Sequence, residues 1–322
     1  MTAAIYQFDG RDSFTRRAGS EPAWHGLGGE TPIDAPIEIW AKNAGMDFTI
    51  QSAPVQFALP TGEISQFPDR CALYRSDNGA PLGLVSGRYK VVQPHDVLAF
   101  FRDLANAGGY QLETAGVLCD GGKYWGLATN GTSEALSGDV VKPYLLLATA
   151  CDGTLATTAM HTAVRVVCQN TINMALGATS DAIKVRHSTV FDPRAVRTQL
   201  GIDDSFNAFM STADRLASRA LSDSAAAETI WTLFGDHSKP RTERDQSAQT
   251  KKKIESVWSL YKGRADGATL PSARGTAWGL LNAVTQYVDH DARARSAENR
   301  LHSAWFGPGN ATKSRALELL AA

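Results

Sequence analysis

Apolar and polar positions alternate in short runs over the first part of the chain and recur at helical spacing over the last third. Residues 1–46 begin irregularly, with a turn-rich loop at Trp24-His25-Gly26-Leu27-Gly28-Gly29 and a short helix expected over Pro36–Ala44. Asp47–Gln51 and Val55–Leu59 read as strands that pair across Ala53-Pro54. Arg70–Arg75 and Leu82–Ser86 flank Asp77-Asn78-Gly79, a hairpin signal because Asn-Gly tolerates positive φ. Tyr89–Val92 reads as one more strand. Pro94 then opens a helix at no cost in hydrogen bonds. Val97, Leu98, Phe101 and Leu104 form its apolar face, and Gly108-Gly109 stops it.

The next stretch reads as a β-meander. Gln111–Leu118 and Lys123–Thr129 are joined at Asp120-Gly121-Gly122, and Tyr144–Ala150 and Thr154–Met160 at Asp152-Gly153. Val164, Val167, Cys168, Thr171, Ile172, Ala175 and Leu176 follow at helical spacing, which predicts a helix capped by Thr162 and closed by Gly177.

Beyond Asp192-Pro193 the pattern is helical. Stripes run through Phe206–Leu221, Ala227–Phe234, Ile254–Tyr261 and Ala277–Val288, with a short last helix over Lys313–Leu320. The polar segment Asp236–Lys253 reads as a loop. The expected fold is α+β: an antiparallel β-meander packed on helices over residues 1–192, followed by an α-helical C-terminal region over 193–322.

Composition narrows the class. The chain has 322 residues, 43% hydrophobic and 20% charged, enough apolar material for a sizeable core. Its 32 basic and 33 acidic residues leave a formal net charge of −1, which argues against coating duplex DNA by charge alone. Cys71, Cys119, Cys151 and Cys168 lack metal-ligand spacing and read as buried thiols. With neither a secretion signal nor a membrane-length apolar run, the expectation is a cytoplasmic protein without metal or cofactor.

No phosphate-binding glycine loop, nucleophile elbow or zinc-protease motif is present, so a binding protein is expected rather than an enzyme. Asp289-His290-Asp291 is the one carboxylate–histidine run, and it reads as a helix end with solvated neighbours. His161, Arg165, Gln169 and Asn173 are spaced by four and would form one polar helix stripe suited to phosphate and sugar. An ordinary solvated face fits them as well. Lys184, Arg186 and His187 could continue a basic rim, or protect a strand edge. Lys123-Tyr124-Trp125 sets aromatics beside a cation on a strand, the arrangement that stacks bases, although core packing of Trp125 is the alternative. Lys239, Arg241, Arg244 and Lys251-Lys252-Lys253 form a basic loop and helix start, diluted by Glu243, Asp245 and Glu255.

At these residues the sequence resembles a known family. Trp24-His25-Gly26-Leu27-Gly28, the run from Thr162 to Thr171, Arg186-His187, the run from Asn282 to His290 and Trp305-Phe306-Gly307 resemble the phage/plasmid-like family with domain of unknown function 932. That resemblance implies a mobile-element setting and supplies no activity. The order of elements, a meander followed by a helix with basic and amide residues, is also similar to single-strand annealing recombinases of phages. The resulting expectation is a single-stranded-DNA binding, strand-annealing protein that forms a homo-oligomer. The alternative is a module that docks on a host protein, through an apolar patch around Trp231, Trp258 and Trp278.

Overall fold

The computed structural model describes residues 7–8, 11–12, 14–19, 29–108, 110–165, 170–173, 183–185, 202–239, 241 and 246–322. Strands run over Gln7–Phe8 (β1), Arg11–Asp12 (β2), Phe14–Arg17 (β3), Gly29–Thr31 (β4), Ile50–Ala58 (β5), Ile64–Arg75 (β6) and Pro81–Ser86 (β7). They continue over Gln111–Leu118 (β8), Lys123–Thr129 (β9), Glu134–Leu136 (β10), Asp139–Ala150 (β11), Thr157–Arg165 (β12), Asn170–Asn173 (β13) and Ile183–Val185 (β14). Helices are Ile37–Asn43 (α1), Pro94–Gly108 (α2), Ile202–Ser218 (α3), Asp223–Phe234 (α4), Ala248–Ser259 (α5), Ala277–Gln286 (α6), Ala297–Phe306 (α7) and Pro308–Ala321 (α8). The chain is α+β, with antiparallel-rich sheets and C-terminal helices.

Two compact units share the chain. One takes residues 1–131, 144–160 and 182–201; the other takes 132–143, 161–181 and 202–322. The chain therefore does not divide once near residue 192, because β11 and β12 each begin in one unit and end in the other.

In the first, β-rich unit, β12, β11, β9, β8, β3 and β4 lie in that order, and β14 pairs with β12. The β8–β9 hairpin turns through left-handed Cys119, Asp120 and Gly121. Helix α2 covers β8 and β9. Gly126 allows that approach, since a Cβ there would lie 2.4 Å from the Phe101 ring. All seven residues of β9 are buried, so both faces of this strand are covered.

A second sheet in this unit has the order β5-β6-β7. The Asp77-Asn78-Gly79 turn joins β6 to β7 as expected, with Gly79 at φ 70°. Residues 50–58 form one strand rather than two. Pro54 has no N–H to donate and sits at the irregularity between Pro54 and Gln56, so the chain bends there without turning back. Arg75 ties the two sheets together. Its guanidinium holds both Asp77 carboxylate oxygens, at 2.9 and 2.7 Å, and lies 3.9 Å over the Phe48 ring. It also reaches the Asp120 carbonyl at 3.5 Å. The guanidinium keeps the Asp77 carboxyl below its ordinary range. Residues 89–92 form no strand; the Tyr89 hydroxyl instead donates to the Ala150 carbonyl at 2.7 Å.

The second, helical unit is built around α6, all ten residues of which are buried. Helices α3, α5 and α8 pack on it. Ser222, Ser247, Thr276 and Ser296 each cap a helix by accepting a backbone N–H two or three positions into it. Buried Asp139, from the β10–β11 turn, accepts the Trp278 indole N–H at 2.9 Å. Helix α7 was not foreseen, and α8 is longer than the expected Lys313–Leu320.

The largest departure is at residues 162–165 and 170–173, where a helix was expected over 162–176; residues 166–169 and 174–176 lie outside the described residues. The chain forms β12 and then β13, with Thr162 opposite Asn173 and Arg165 opposite Asn170. The spacing misled because His161–Val164 are buried without alternation. A run buried on both faces satisfies a helical template as well as a strand. β-Branched Thr162, Val164, Thr171 and Ile172 favour the strand.

Candidate nucleic-acid interface

The residues expected to bind nucleic acid do not form one surface. Tyr124 and Trp125 are 1% and 0% exposed, so neither offers a ring face to a base. Tyr124 donates its hydroxyl to the Val92 carbonyl, and burial raises its pKa well above the ordinary phenol value. Trp125 packs with its ring 5.8 Å from that of Phe14. Lys123 is also buried, near the Cys151 thiol. The physical reason is the position of β9 between β8 and β11, under α2, which leaves no solvent face.

His161 is buried on β12, in the helical unit. The stripe of His161, Arg165, Gln169 and Asn173 depended on a helix, and in the strand register His161, Arg165 and Asn173 are no longer stacked at i, i+4. Arg165 and Asn173 take register positions in the β12–β13 ladder, and Lys184 lies opposite Thr158 in β14. Gln169, Arg186, His187 and the Trp24–Gly28 loop lie outside the described residues.

The basic segment after α4 is partly spent on ion pairs. Arg241 pairs with Glu228 and sits 5.4 Å over the Trp231 ring, while Lys239 approaches Asp236 at 3.9 Å. Lys251, Lys252 and Lys253 lie near the start of α5. Arg244 is outside the described residues.

Asp289-His290-Asp291 is not the solvated helix end its sequence suggested. Asp289 and Lys313 form a 2.8 Å ion pair with side chains 0% and 2% exposed. Asp291 instead holds Arg264 at 2.8 Å. A buried pair of this kind anchors α8 to the end of α6. Removing one partner leaves an uncompensated charge, a loss of about 3–5 kcal/mol.

The exposed surface with binding chemistry lies on β5–β6–β7, which sequence reasoning passed over. Phe57, Phe67 and Leu84 are 45%, 48% and 65% exposed, and Ile64 is 67% exposed. Phe57 pairs with Ser65, and Phe67 lies two residues along β6 from that partner, so the two rings belong to one diagonal of the hairpin. Arg70 pairs with Ser86, and the Gly87 N–H donates to the Asp69 carbonyl at 3.1 Å. Arg88 follows in the turn after β7. Both arginines are exposed, and neither has an ion-pair partner among the described residues. Trp278 is buried in the helical core, and Trp231 and Trp258 are half-buried. The available signal was the prolines: Pro54 and Pro68 within β-type runs mark strands at a sheet edge or bulge, where one face stays in solvent.

Among the described residues no helix is long and apolar enough to cross a membrane. No curated protein and no solved structure matches the chain. A family model described as a domain of unknown function, DUF932, matches residues 81–305. That match covers α2, β8–β14 and the helical core through α7, and it leaves out β5 and β6. The chain thus belongs to the DUF932 family.

Proposed function

We propose that the protein binds single-stranded nucleic acid, in the manner of strand-annealing proteins of mobile elements, and works as a homo-oligomer. The observation that supports this most is the pair of exposed rings on one hairpin, Phe57 and Phe67, with exposed Arg70 and Arg88 at its base. Rings without a core role can stack on bases of any sequence, and unpaired guanidinium groups neutralise phosphates. A small number of such contacts suits a chain whose net charge is −1. Arg165, Gln169, Asn173, Lys184, Arg186 and His187 remain further candidate contacts.

Fluorescence anisotropy with a labelled single strand across a salt series tests this, with the matching duplex as control. Tight, salt-sensitive binding to the single strand is expected. Phe57→Ala and Phe67→Ala should each weaken it at least about fivefold, from roughly 1–3 kcal/mol per stacked base. Arg70→Ala with Arg88→Ala should flatten the salt dependence. Absence of binding at low salt by folded protein removes the proposal.

A second reading, docking on a host protein, is favoured by the aliphatic exposure of Ile64 and Leu84 on the same sheet. It predicts that Ile64→Lys with Leu84→Lys abolishes capture of a defined host protein from nuclease-treated lysate, while strand binding is unchanged.

A further inference from the structure

The β5–β6–β7 sheet has an outer face that departs from the pattern of a sheet in water. Directly opposed residues of antiparallel strands share a face. Ile50, Leu73, Arg75 and Val85 are buried and mark the inner one. The outer face carries the row Ala53, Ala72, Leu84, with Gln51 opposite Tyr74 in the row before it. Val55 and Phe57 continue this face along β5, because the extra residues at the irregularity lie in β6. A solvated face of an antiparallel sheet is ordinarily polar. This one is apolar, and neither β5 nor β7 contains a charged side chain. Phe57 and Leu84 are exposed, while Ala53, Val55, Ala72 and Tyr74 are half-buried.

Three features suit this face to a second copy of the chain. Its central row is uneven: Ala53 and Ala72 leave a shallow trough beside the larger Leu84. A twofold axis makes such a surface self-complementary, with the leucine of either copy filling the trough of the other. The face does not repel itself either. Its nearest charge, Arg70, lies at the rim, opposite Ser86. The area is also sufficient. The six apolar side chains expose about 400 Å² per copy, at roughly 200 Å² for a large side chain. Two copies cover about 800 Å² of apolar surface, and at roughly 60% apolar this corresponds to an interface of about 1,300 Å², the lower part of the range for specific dimers.

We propose that this outer face packs on the same face of a second copy, sheet on sheet, when no nucleic acid is bound. Leu84 is the projecting contact and Ala53 with Ala72 receives it. Phe57 lies on the covered face, so the dimer hides one of the two rings assigned to base stacking. The regulatory consequence rests on the single-strand reading above: strand and second copy compete for one surface, and any assembly on a strand is held by other surfaces. The interface itself does not depend on that reading.

The test is sedimentation velocity of the nuclease-treated full chain at up to about 100 μM, which populates a dimer even at the weak end of this size class. Ala72→Gln fills the trough and Leu84→Asn removes the projecting contact. Neither adds a charge or alters Phe57, and thermal melting confirms that the double variant is folded. The parent is expected to dimerise, and the double variant to associate about tenfold or more weakly. A single strand of about six nucleotides, long enough for one hairpin, should dissociate the parent dimer when saturating. A parent that stays monomeric throughout overturns the proposal, and so does a double variant that associates as the parent does. A monomeric parent that captures a host protein through Leu84 overturns it in favour of the second reading. A dimer that persists with the short strand bound overturns the competition. Dimerisation lost in the double variant, in a protein that binds no single strand, supports the interface and overturns the single-strand reading alone.

Discussion

The two sheets of the β-rich unit use aromatic side chains in opposite ways. In the β8–β9–β11 region Tyr124 and Trp125 lie beside Lys123, look like a base-stacking site on paper, and are sealed from water. In β5–β6–β7, Phe57 and Phe67 lie in strands punctuated by proline, attract no motif, and keep nearly half their surface exposed. Residue type therefore does not decide between core and contact. What decides is whether the strand has one open face. A central strand under a helix has none, and an edge hairpin that extends past its neighbour has one or two.

The contrast is broken most forcefully by truncating one ring in each sheet. Trp125→Ala should cost about 3–5 kcal/mol of stability, read from urea unfolding. Phe67→Ala should stay within about 0.5 kcal/mol. Equal losses would show that the hairpin is packed after all. Next in size is the link between the sheets. Arg75→Met removes the hydrogen bonds to Asp77 and the contact with the Asp120 carbonyl and should cost about 2 kcal/mol, with the loss detected in the same denaturant series.

Alkaline pH sharpens the comparison further. Burial pushes the Cys151 thiol up to about 12 and raises the Tyr89 and Tyr124 hydroxyls above their ordinary range. Groups with raised folded pKa values hold their protons longer in the folded state. Their contribution is fully present below the unfolded values and is lost as pH rises through the folded ones. Melting temperature should thus fall from about pH 9 upward, and Cys151→Ala should shallow that decline. The smallest effect is chemical. Cys119, exposed on the β8–β9 turn, should react with a thiol reagent at pH 8 in the native protein, while Cys151 waits for unfolding. Native-state labelling read by mass spectrometry distinguishes the two.

Much of the fold was legible. The Asp77-Asn78-Gly79 and Asp120-Gly121-Gly122 turns, the Pro94 helix start and the C-terminal helical stripes all follow from local backbone preference and periodicity. The β12–β13 segment was not, because burial of His161–Val164 on both faces erases the period that separates strand from helix. Asp289 and Lys313 were illegible for a related reason. They are 24 residues apart, and only tertiary packing brings them within 2.8 Å of each other. The candidate site was missed because exposure of Phe57 and Phe67 depends on which strands end early, and local sequence does not carry that information.

Photochemical crosslinking of a 5-iodouracil-substituted single strand, followed by peptide mapping, tests the central claim most directly. Crosslinks are expected at Phe57 and Phe67 in the β5–β6 hairpin, and they should vanish in the Phe57→Ala, Phe67→Ala double variant. Efficient crosslinking confined to other segments, with the hairpin peptides unmodified, would contradict it.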